Sequence, residues 1–249
     1  MFIDTHMHLG DTLSINELIN KCHEVHVDKL ILCGCDKEEI TKYIDLADKY
    51  NEIYLAIGFH PEFASSITSE DLNWLEDVAH HNKVVAIGEI GLDFHYEGYD
   101  KDKQIDLFRK QIDIAKRLNK PVVIHTRDAM QFTFDILKES NIKGVMHCYS
   151  GSLEMAMEYI KIGFMLGIGG VLTFKNSNLP KVVDVVPLES IVLETDSPYL
   201  APTPHRGEEN FSFYIPIIAE KVAEIKNTDI EKVGELTTKN ACSMFDIEY

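Results

Sequence analysis

Six residues of the types that bind metal ions lie at or near the ends of hydrophobic runs spread along the chain. They are His6, His8, Glu89, His125, His147 and Asp196. Burying an imidazole or a carboxylate in an apolar strand is costly unless the group has a partner. A single such residue is equally well explained as a buried polar side chain that forms its hydrogen bonds within the protein. Six of them together predict a metal centre.

The number of ligands indicates how many ions the centre holds. Three or four nitrogen and oxygen ligands suffice for one catalytic ion, so six predict two divalent ions. A carboxylate has two oxygens and can bridge two ions, which makes Glu89 the predicted bridge. Asp196 is predicted to orient the attacking water or to take its proton, so Glu89 and Asp196 are the predicted catalytic residues. Zn, Mn, Fe and, less well, Mg suit this ligand set.

Eight short β-branched runs predict strands, and segments with helical periodicity separate them. The predicted strands are Phe2–Leu9, Val27–Cys35, Ile53–His60, Val84–Asp93, Pro121–Arg127, Gly144–Ser150, Phe164–Gly170 and Ile191–Ser197. A helix between consecutive strands allows them to pair in parallel. The pattern therefore predicts an α/β fold, a single (β/α)8 TIM barrel that spans residues 1–249 as one domain. In such a barrel the carboxyl ends of the strands meet at one rim, which would bring the six ligands together.

Three short motifs predict where helices begin. Ser14 precedes Glu17, Thr68 precedes Asp71, and Thr228 precedes Glu231, each at the spacing of a capping box.

The net charge of the chain argues against one class of nucleic-acid-binding protein. The net charge of −17 argues against a protein that coats nucleic acid with a basic face. It does not exclude an enzyme that binds one phosphate, because bound metal ions supply local positive charge.

The five cysteines do not have the spacing of a disulfide framework, which indicates that they are reduced thiols. There is no apolar run long enough to cross a membrane. We expect a cytoplasmic enzyme with no obligate protein partner.

With these residues placed, the chain resembles the TatD family of metal-dependent deoxyribonucleases, a branch of the amidohydrolase-like barrels. The matching segments run almost from end to end: Phe2-Ile-Asp-Thr-His-Met-His-Leu9, Gly58-Phe-His-Pro61, Gly88-Glu-Ile-Gly-Leu-Asp93, Val123-Ile-His-Thr-Arg-Asp-Ala129, His147-Cys-Tyr-Ser-Gly151, Leu193-Glu-Thr-Asp-Ser-Pro-Tyr-Leu200, Arg206-Gly207 and Thr238-Lys-Asn-Ala241.

The resemblance implies both a ligand assignment and an activity. His6, His8 and Asp196 would bind one ion, His125 and His147 the other, and Glu89 would bridge them. The implied reaction is hydrolysis of DNA phosphodiester bonds, typically from the 3′ end, with abasic sites as further substrates. The residues implied to line the substrate groove are His60, Arg127 and Arg206.

One loop departs from the family pattern. After the last strand the family often has Arg-Gly-Lys followed by Asn-Glu-Pro, whereas this chain has Glu208 at the Lys position and lacks the Glu-Pro. The departure leaves the metal ligands intact but puts the substrate in question.

Several alternatives stay open at the level of sequence. The chain could be an amidohydrolase-type enzyme that cleaves a lactone, amide or phosphotriester, or a non-catalytic metal-binding scaffold. Many amidohydrolases bridge their ions with a carbamylated Lys on the fourth strand, where this chain has Glu89 instead. Arg127 and Asp128 are as well explained by pairing with each other or with a neighbouring loop as by contact with substrate. Asp93 could contact the metal ligands or be a loop residue, and the loop residue is the favoured prediction.

Overall fold

The computed structural model describes residues 1–248, in which strands and helices alternate. The strands are Phe2–Met7 (β1), Val27–Gly34 (β2), Ile53–Ile57 (β3), Val84–Asp93 (β4), Val122–Arg127 (β5), Gly144–Met146 (β6), Phe164–Ile168 (β7) and Ile191–Leu193 (β8). The helices are Ile15–Glu24 (α1), Lys37–Lys49 (α2), Ser69–Val78 (α3), Lys101–Arg117 (α4), Met130–Ser140 (α5), Leu153–Lys161 (α6), Leu179–Val185 (α7), Ile215–Lys226 (α8) and Ile230–Phe245 (α9).

The strands form one eight-stranded sheet in which their order follows the chain from β1 to β8. The pairs β1–β2, β3–β4, β4–β5, β5–β6 and β7–β8 are parallel. Beyond the end of β8, Ser197 forms a parallel bridge with Met7 at the end of β1. This order, with a helix after each strand, confirms the predicted (β/α)8 barrel fold.

Two compact units make up the chain. The first contains Met1–Leu32, Cys148–Lys161 and the chain from Met165 onward, and the second contains Cys33–His147 with Ile162–Phe164. Each has its own apolar interior, exemplified by Ile215 and Val222 in the first unit and by Leu55 and Phe108 in the second, all fully buried. The assignment of the whole chain to one domain stays a prediction.

The strands begin within one residue of their predicted starts, but several end earlier. The clearest cases are β6, predicted to reach Ser150, and β8, predicted to reach Ser197. Cys148 and Asp196, which follow these strands, have φ angles of 45° and 57°. This left-handed backbone is incompatible with an extended strand, so the ladder stops before it. His147 and Asp196 therefore lie in the loops that follow β6 and β8.

Two of the three predicted helix starts are confirmed. Ser14 and Thr68 each form a complete capping box, with Glu17 and Asp71 respectively. The third is wrong, because the cap of α9 is Asp229, whose carboxylate accepts a hydrogen bond from the backbone N–H of Lys232. Thr228 instead donates its backbone N–H to Ala223 and belongs to the turn that ends α8.

Helix α9 is fastened to the start of β8 by a buried amide. The side-chain nitrogen of Asn240 donates to the backbone oxygens of Leu188 and Ile191, at 2.9 and 2.7 Å. These bonds account for the Asn in the late Thr-Lys-Asn-Ala motif. Within residues 1–248, no helix combines the length and hydrophobicity that membrane crossing requires.

Candidate metal centre

The first group of ligand-type residues lies in the first unit and consists of His6, His8 and Asp196. His6 is the fifth residue of β1 and fully buried, and His8 follows the strand on the same face. The Nε2 atoms of the two rings are 3.2 Å apart. Asp196 Oδ1 is 3.7 Å from Nε2 of His6 and 4.0 Å from Nε2 of His8. Three ligand atoms therefore converge on one point.

This arrangement fits a divalent cation. Ligands bonded tetrahedrally at zinc-like distances lie about 3.3 Å from one another, which is close to the separations seen here. A cation between these atoms would accept electron pairs from both imidazoles and from the carboxylate.

Backbone hydrogen bonds between β1 and the segment after β8 bring these three residues together. The N–H of Asp196 donates to the carbonyl of His6 at 3.0 Å, and the N–H of His8 donates to that of Ser197 at 2.7 Å. The left-handed backbone of Asp196 is one that Asp tolerates better than most residues.

A buried carboxylate that the sequence analysis did not single out supports the same group. Asp4 is fully buried and accepts hydrogen bonds from Thr195 N at 3.0 Å, Thr195 Oγ1 at 2.6 Å and His6 N at 3.3 Å. Burial raises the pKa of Asp4 to about 7, although bonds from Ser212, Thr195 and His6 oppose the rise. The signal available in the sequence was a charged residue inside an apolar run.

Asn210 holds the other side of Thr195. Its side-chain nitrogen donates to the backbone oxygens of Thr195 and Tyr199, both at 2.7 Å. The residue that precedes Asp196 is thus bonded from two directions, which restricts where the Asp196 carboxylate can lie.

The second group lies in the second unit and is centred on Glu89. Its Oε1 atom is 2.6 Å from Nδ1 of His125 and 3.7 Å from Nε2 of His147. The other ring nitrogen of His125 is 3.1 Å from Oδ2 of Asp93. Asp93 is the last residue of β4 and is buried, so the prediction of a loop residue was wrong. It is a direct partner of His125.

Charge interactions within this group are strong. Burial opposes the protonation of His125, but the Glu89 charge and the hydrogen bonds to Asp93 and Glu89 outweigh it and raise the pKa of His125 to about 9. Burial likewise opposes the ionisation of Asp93, yet the hydrogen bond and charge of His125 lower the pKa of that carboxyl. The carboxylates of Glu89 and Asp93 stabilise a positive charge on His125, and they would stabilise a divalent cation for the same reason. Imidazole and carboxylate ligands together therefore fit a metal ion.

Two buried glutamines of α4 fix the backbone beside these ligands. The side chain of Gln104 forms two hydrogen bonds with the backbone of Asp93, and that of Gln111 does the same with Phe59, the neighbour of His60. Neither glutamine was predicted from the sequence. The available signal was their seven-residue spacing, which places both on one face of the helix.

The three predicted substrate-binding residues have different surroundings. His60 lies against His125 with the ring centres 4.5 Å apart, and His60, Asp93 and His125 form a cluster of ligand-type atoms. Arg127 donates from Nη1 to the hydroxyl of Tyr96 at 3.2 Å. Asp128 pairs with His95 at 2.8 Å, so Arg127 and Asp128 do not pair with each other but each bonds to a residue of the neighbouring loop.

Arg206 lies in the first unit. Its guanidinium carbon is 3.7 Å from the centre of the Phe174 ring, and Nη1 donates to the backbone oxygen of Ala201 at 3.4 Å. Glu208, the residue that departs from the family pattern, pairs with His205 at 2.9 Å. His205 in turn stacks on Tyr214 with ring centres 4.2 Å apart.

Within each unit the structure brings the predicted ligands together: His6, His8 and Asp196 in the first, and Glu89, His125 and His147 in the second. The assignment of all six to one centre that holds two ions stays a prediction.

Comparison with known sequences gives a consistent result along the whole chain. Residues 3–246 match the family model described as TatD related DNase. An uncharacterized metal-dependent hydrolase of Bacillus subtilis, YabD, is 42% identical, and the alignment covers 99% of this chain and all of the relative. A counterpart from Methanocaldococcus jannaschii, MJ1582, is 32% identical over 98% of this chain and 96% of its own length.

Solved structures agree with the fold. YJJV, a TatD homologue from Escherichia coli K12, superposes with a TM-score of 0.94 at 28% identity, covering 99% of this chain and 98% of its own. A 5-methylcytosine deaminase from Klebsiella pneumoniae gives a TM-score of 0.64 at 13% identity, covering 98% of this chain and 74% of its own. The second likeness shows a shared fold only.

Proposed function

Because the chain belongs to the family of TatD-related DNases and is a metal-dependent hydrolase, we propose that it hydrolyses phosphodiester bonds of DNA from the 3′ end. The observation that carries the proposal is the convergence of His6, His8 and Asp196, with ligand atoms 3.2 to 4.0 Å apart at the end of β1. A cation held there suits a reaction in which water attacks a phosphate.

We assign the six ligands as the family resemblance implies. His6, His8 and Asp196 would hold one ion, His125 and His147 would hold the other, and Glu89 would contribute to both. The carboxyl ends of all strands meet at one rim of a (β/α)8 barrel. His8, His147 and Asp196 follow the ends of their strands, His6 and His125 lie within two residues of the ends of β1 and β5, and Glu89 lies further back within β4. Ions bound there would supply Lewis acidity and would lower the pKa of a bound water.

The chain's own residues carry the remaining steps. Asp196 orients the attacking water and accepts its proton. Arg206, Arg127 and His60 bind the phosphate, and the two guanidinium groups stabilise the negative charge that develops on its oxygens. Arg206 is held against Phe174 and Arg127 against Tyr96, so neither cation has to be ordered from a fully mobile state when substrate binds.

The acidic surface is compatible with this substrate. The protein carries a net charge of −17, but the ions and the two arginines concentrate positive charge where the phosphate binds. The carboxylate of Glu208 pairs with His205, which directs it to a partner within its own loop. The five free cysteines support a reducing, cytoplasmic compartment.

A second candidate is a hydrolase of small neutral esters, lactones or amides. The observation that favours it is Glu208, which places a negative charge two residues from Arg206 in the loop where the family often has a positive one. Such a substrate would not be repelled by the acidic surface.

One experiment separates these functions. The purified protein is loaded with Zn, Mn, Fe or Mg in turn and supplied with single-stranded DNA labelled at the 3′ or the 5′ end, and with a panel of esters and lactones. We expect early loss of the 3′ label with at least one metal. Hydrolysis of an ester without any cleavage of DNA would replace the nuclease by the second candidate. Metal binding without turnover of any substrate would leave only a scaffold.

A further inference from the structure

Four aromatic side chains lie on the surface, three of them in the segment after β4 and one on α5. They are Phe94, Tyr96, Tyr99 and Phe132, and we call them the aromatic platform. Tyr96, Tyr99 and Phe132 are 62%, 42% and 47% exposed. Phe94 stacks on Tyr99 with ring centres 4.8 Å apart, and it meets Phe132 edge to face at 5.7 Å. Single exposed aromatic residues are common on protein surfaces, but several close together are a candidate interaction site.

Two cations lie against the platform. Lys101 Nζ is 3.5 Å from the centre of the Phe132 ring and 5.6 Å from that of Phe94. The guanidinium carbon of Arg127 is 5.2 Å from the Tyr96 ring centre. In the part of the chain that the structure describes, neither cation forms an ion pair with a carboxylate. Both positive charges are therefore available to an anionic ligand.

The platform adjoins the Glu89 group of ligands. Phe94 directly follows Asp93, whose carboxylate contacts His125, and the N–H of Phe94 donates to the carbonyl of Arg127 at 2.9 Å. These bonds connect the platform to the carboxyl ends of β4 and β5.

We propose that the aromatic platform is a base-binding subsite, on which unpaired bases of a single-stranded nucleic acid stack while Arg127 and Lys101 contact the adjoining phosphates. The inference rests on the proposed nuclease function and adds a subsite to it. Every base presents a π face, so stacking on exposed tyrosines tolerates any sequence. A base inside a duplex has both faces covered, so the platform selects unpaired ends.

Because the protein is acidic, base stacking should contribute more than phosphate contacts to the binding of single-stranded nucleic acid. Binding through phosphate contacts alone weakens steeply as salt increases, and a chain with a net charge of −17 cannot offer many such contacts. Stacking depends far less on salt. A protein partner would also favour exposed aromatic residues, but it would not require two unpaired cations beside the metal ligands.

The test uses Tyr96→Ala and Phe132→Ala, with two controls. Tyr96→Phe keeps the ring and removes only the hydroxyl, and Val185→Ala removes an exposed apolar side chain from α7. Binding is measured on metal-free protein with an oligonucleotide that carries 2-aminopurine at successive positions, whose fluorescence is quenched when it stacks. Cleavage of the same oligonucleotide by metal-loaded protein is measured separately as KM and kcat.

We expect quenching at one or two positions with the unaltered protein, Tyr96→Phe and Val185→Ala, and its loss in Tyr96→Ala. The KM for single-stranded DNA should rise about tenfold in each of the two test variants. The kcat should change little in Phe132→Ala, whereas Tyr96→Ala also removes a contact of Arg127. An oligonucleotide that lacks the base at the quenched position should raise the KM of the unaltered protein by a similar factor. Tyr96→Ala should then show no additional loss, because the base and the ring act as a pair.

The outcomes distinguish this inference from the function on which it rests. If the unaltered protein cleaves DNA but both variants match it in KM and quenching, the platform is not a base-binding subsite and the nuclease function stands. If quenching occurs as expected but no DNA is cleaved with any metal, the subsite is supported and the nuclease function is contradicted. Self-association that Tyr96→Ala abolishes, with DNA kinetics unchanged, would assign the platform to a second copy of the chain and overturn the inference.

Discussion

Gln104 forms two hydrogen bonds with the backbone of Asp93: its Oε1 accepts from the N–H at 2.9 Å, and its Nε2 donates to the carbonyl at 2.8 Å. At the end of β4, the side-chain amide of Gln104 thus forms the backbone hydrogen bonds that a neighbouring strand would otherwise form. Because Asp93 contacts His125, a residue of α4 determines where a proposed metal ligand lies. Gln111 bonds to both backbone groups of Phe59 in the same way, at 2.7 and 2.9 Å.

Gln104→Ala should weaken both folding and metal binding. The substitution leaves a buried N–H and a buried carbonyl of Asp93 without their partner, and each such group costs ~1–3 kcal/mol. We expect a lower free energy of unfolding in urea and a higher metal dissociation constant. Gln131→Ala removes an exposed amide from α5 and is the control. A Gln104→Ala protein that was destabilised but bound metal with unchanged affinity would show that the amide has no positioning role.

Glu89→Ala should abolish turnover and lower the metal content of the purified protein. If Glu89 bridges two ions, this one change removes a ligand from both. Metal analysis of the isolated protein and a turnover assay measure the two effects, and Glu220→Ala on α8 controls for the loss of a surface carboxylate. Two ions per chain together with near-normal activity in Glu89→Ala would refute the bridging role.

Asp196→Asn should keep the fold, because the amide has the same shape and the backbone bonds to His6 and Tyr199 do not involve the side chain. Loss of the negative charge should weaken metal binding and slow turnover roughly 10²-fold or more, as removal of a general base does. Asp184→Asn on α7 is the control. Circular dichroism checks the fold, and kinetics across a metal titration separate binding from rate. Normal rates at saturating metal would exclude a catalytic role for Asp196.

The loop after β8 tests the identity of the substrate. Arg206→Ala should lower kcat/KM on DNA by an amount that corresponds to ~1.5–3 kcal/mol, the contribution of a charge-assisted hydrogen bond. Glu208→Lys should strengthen DNA binding mainly at low salt, because exposed charges are screened beyond a Debye length of ~10 Å at 0.1 M. Neither change should alter metal content. Arg109→Ala, an exposed arginine of α4, is the control.

Kinetics on an oligonucleotide across a series of salt concentrations measure both effects. If Arg206→Ala and Glu208→Lys both behave as the unaltered protein does on DNA, and a neutral ester is hydrolysed faster than DNA, the small-molecule hydrolase replaces the nuclease.

Asp71 should contribute a pH-dependent part of the stability. Hydrogen bonds from Lys37 and then from the backbone and side chain of Thr68 lower the pKa of Asp71 to about 2. Because the folded-state pKa lies below the unfolded value of ~3.9, its contribution is fully present above that value. The contribution is lost as the pH falls through about 2. The difference in unfolding free energy between the unaltered protein and Asp71→Asn should therefore shrink from pH 6 towards pH 2. A difference that did not vary with pH would contradict the assignment.

The sequence by itself determined the order and type of the elements and the six proposed metal ligands. Strand and helix periodicity is a local property, as are the capping boxes at Ser14 and Thr68, and the His-x-His spacing on one strand places both rings on one face. These features need no information about distant parts of the chain.

Only the tertiary structure decided how the ligands are held. Asp4 contacts Thr195, Gln104 contacts Asp93, and Asn240 contacts Ile191, each pair far apart in sequence or on different elements. The same holds for Asp93, which sequence placed in a loop and the structure places against His125. A polar side chain in an apolar run shows that a partner must exist, because burial without one is too costly. Its identity depends on which strand ends and helix faces the fold brings together.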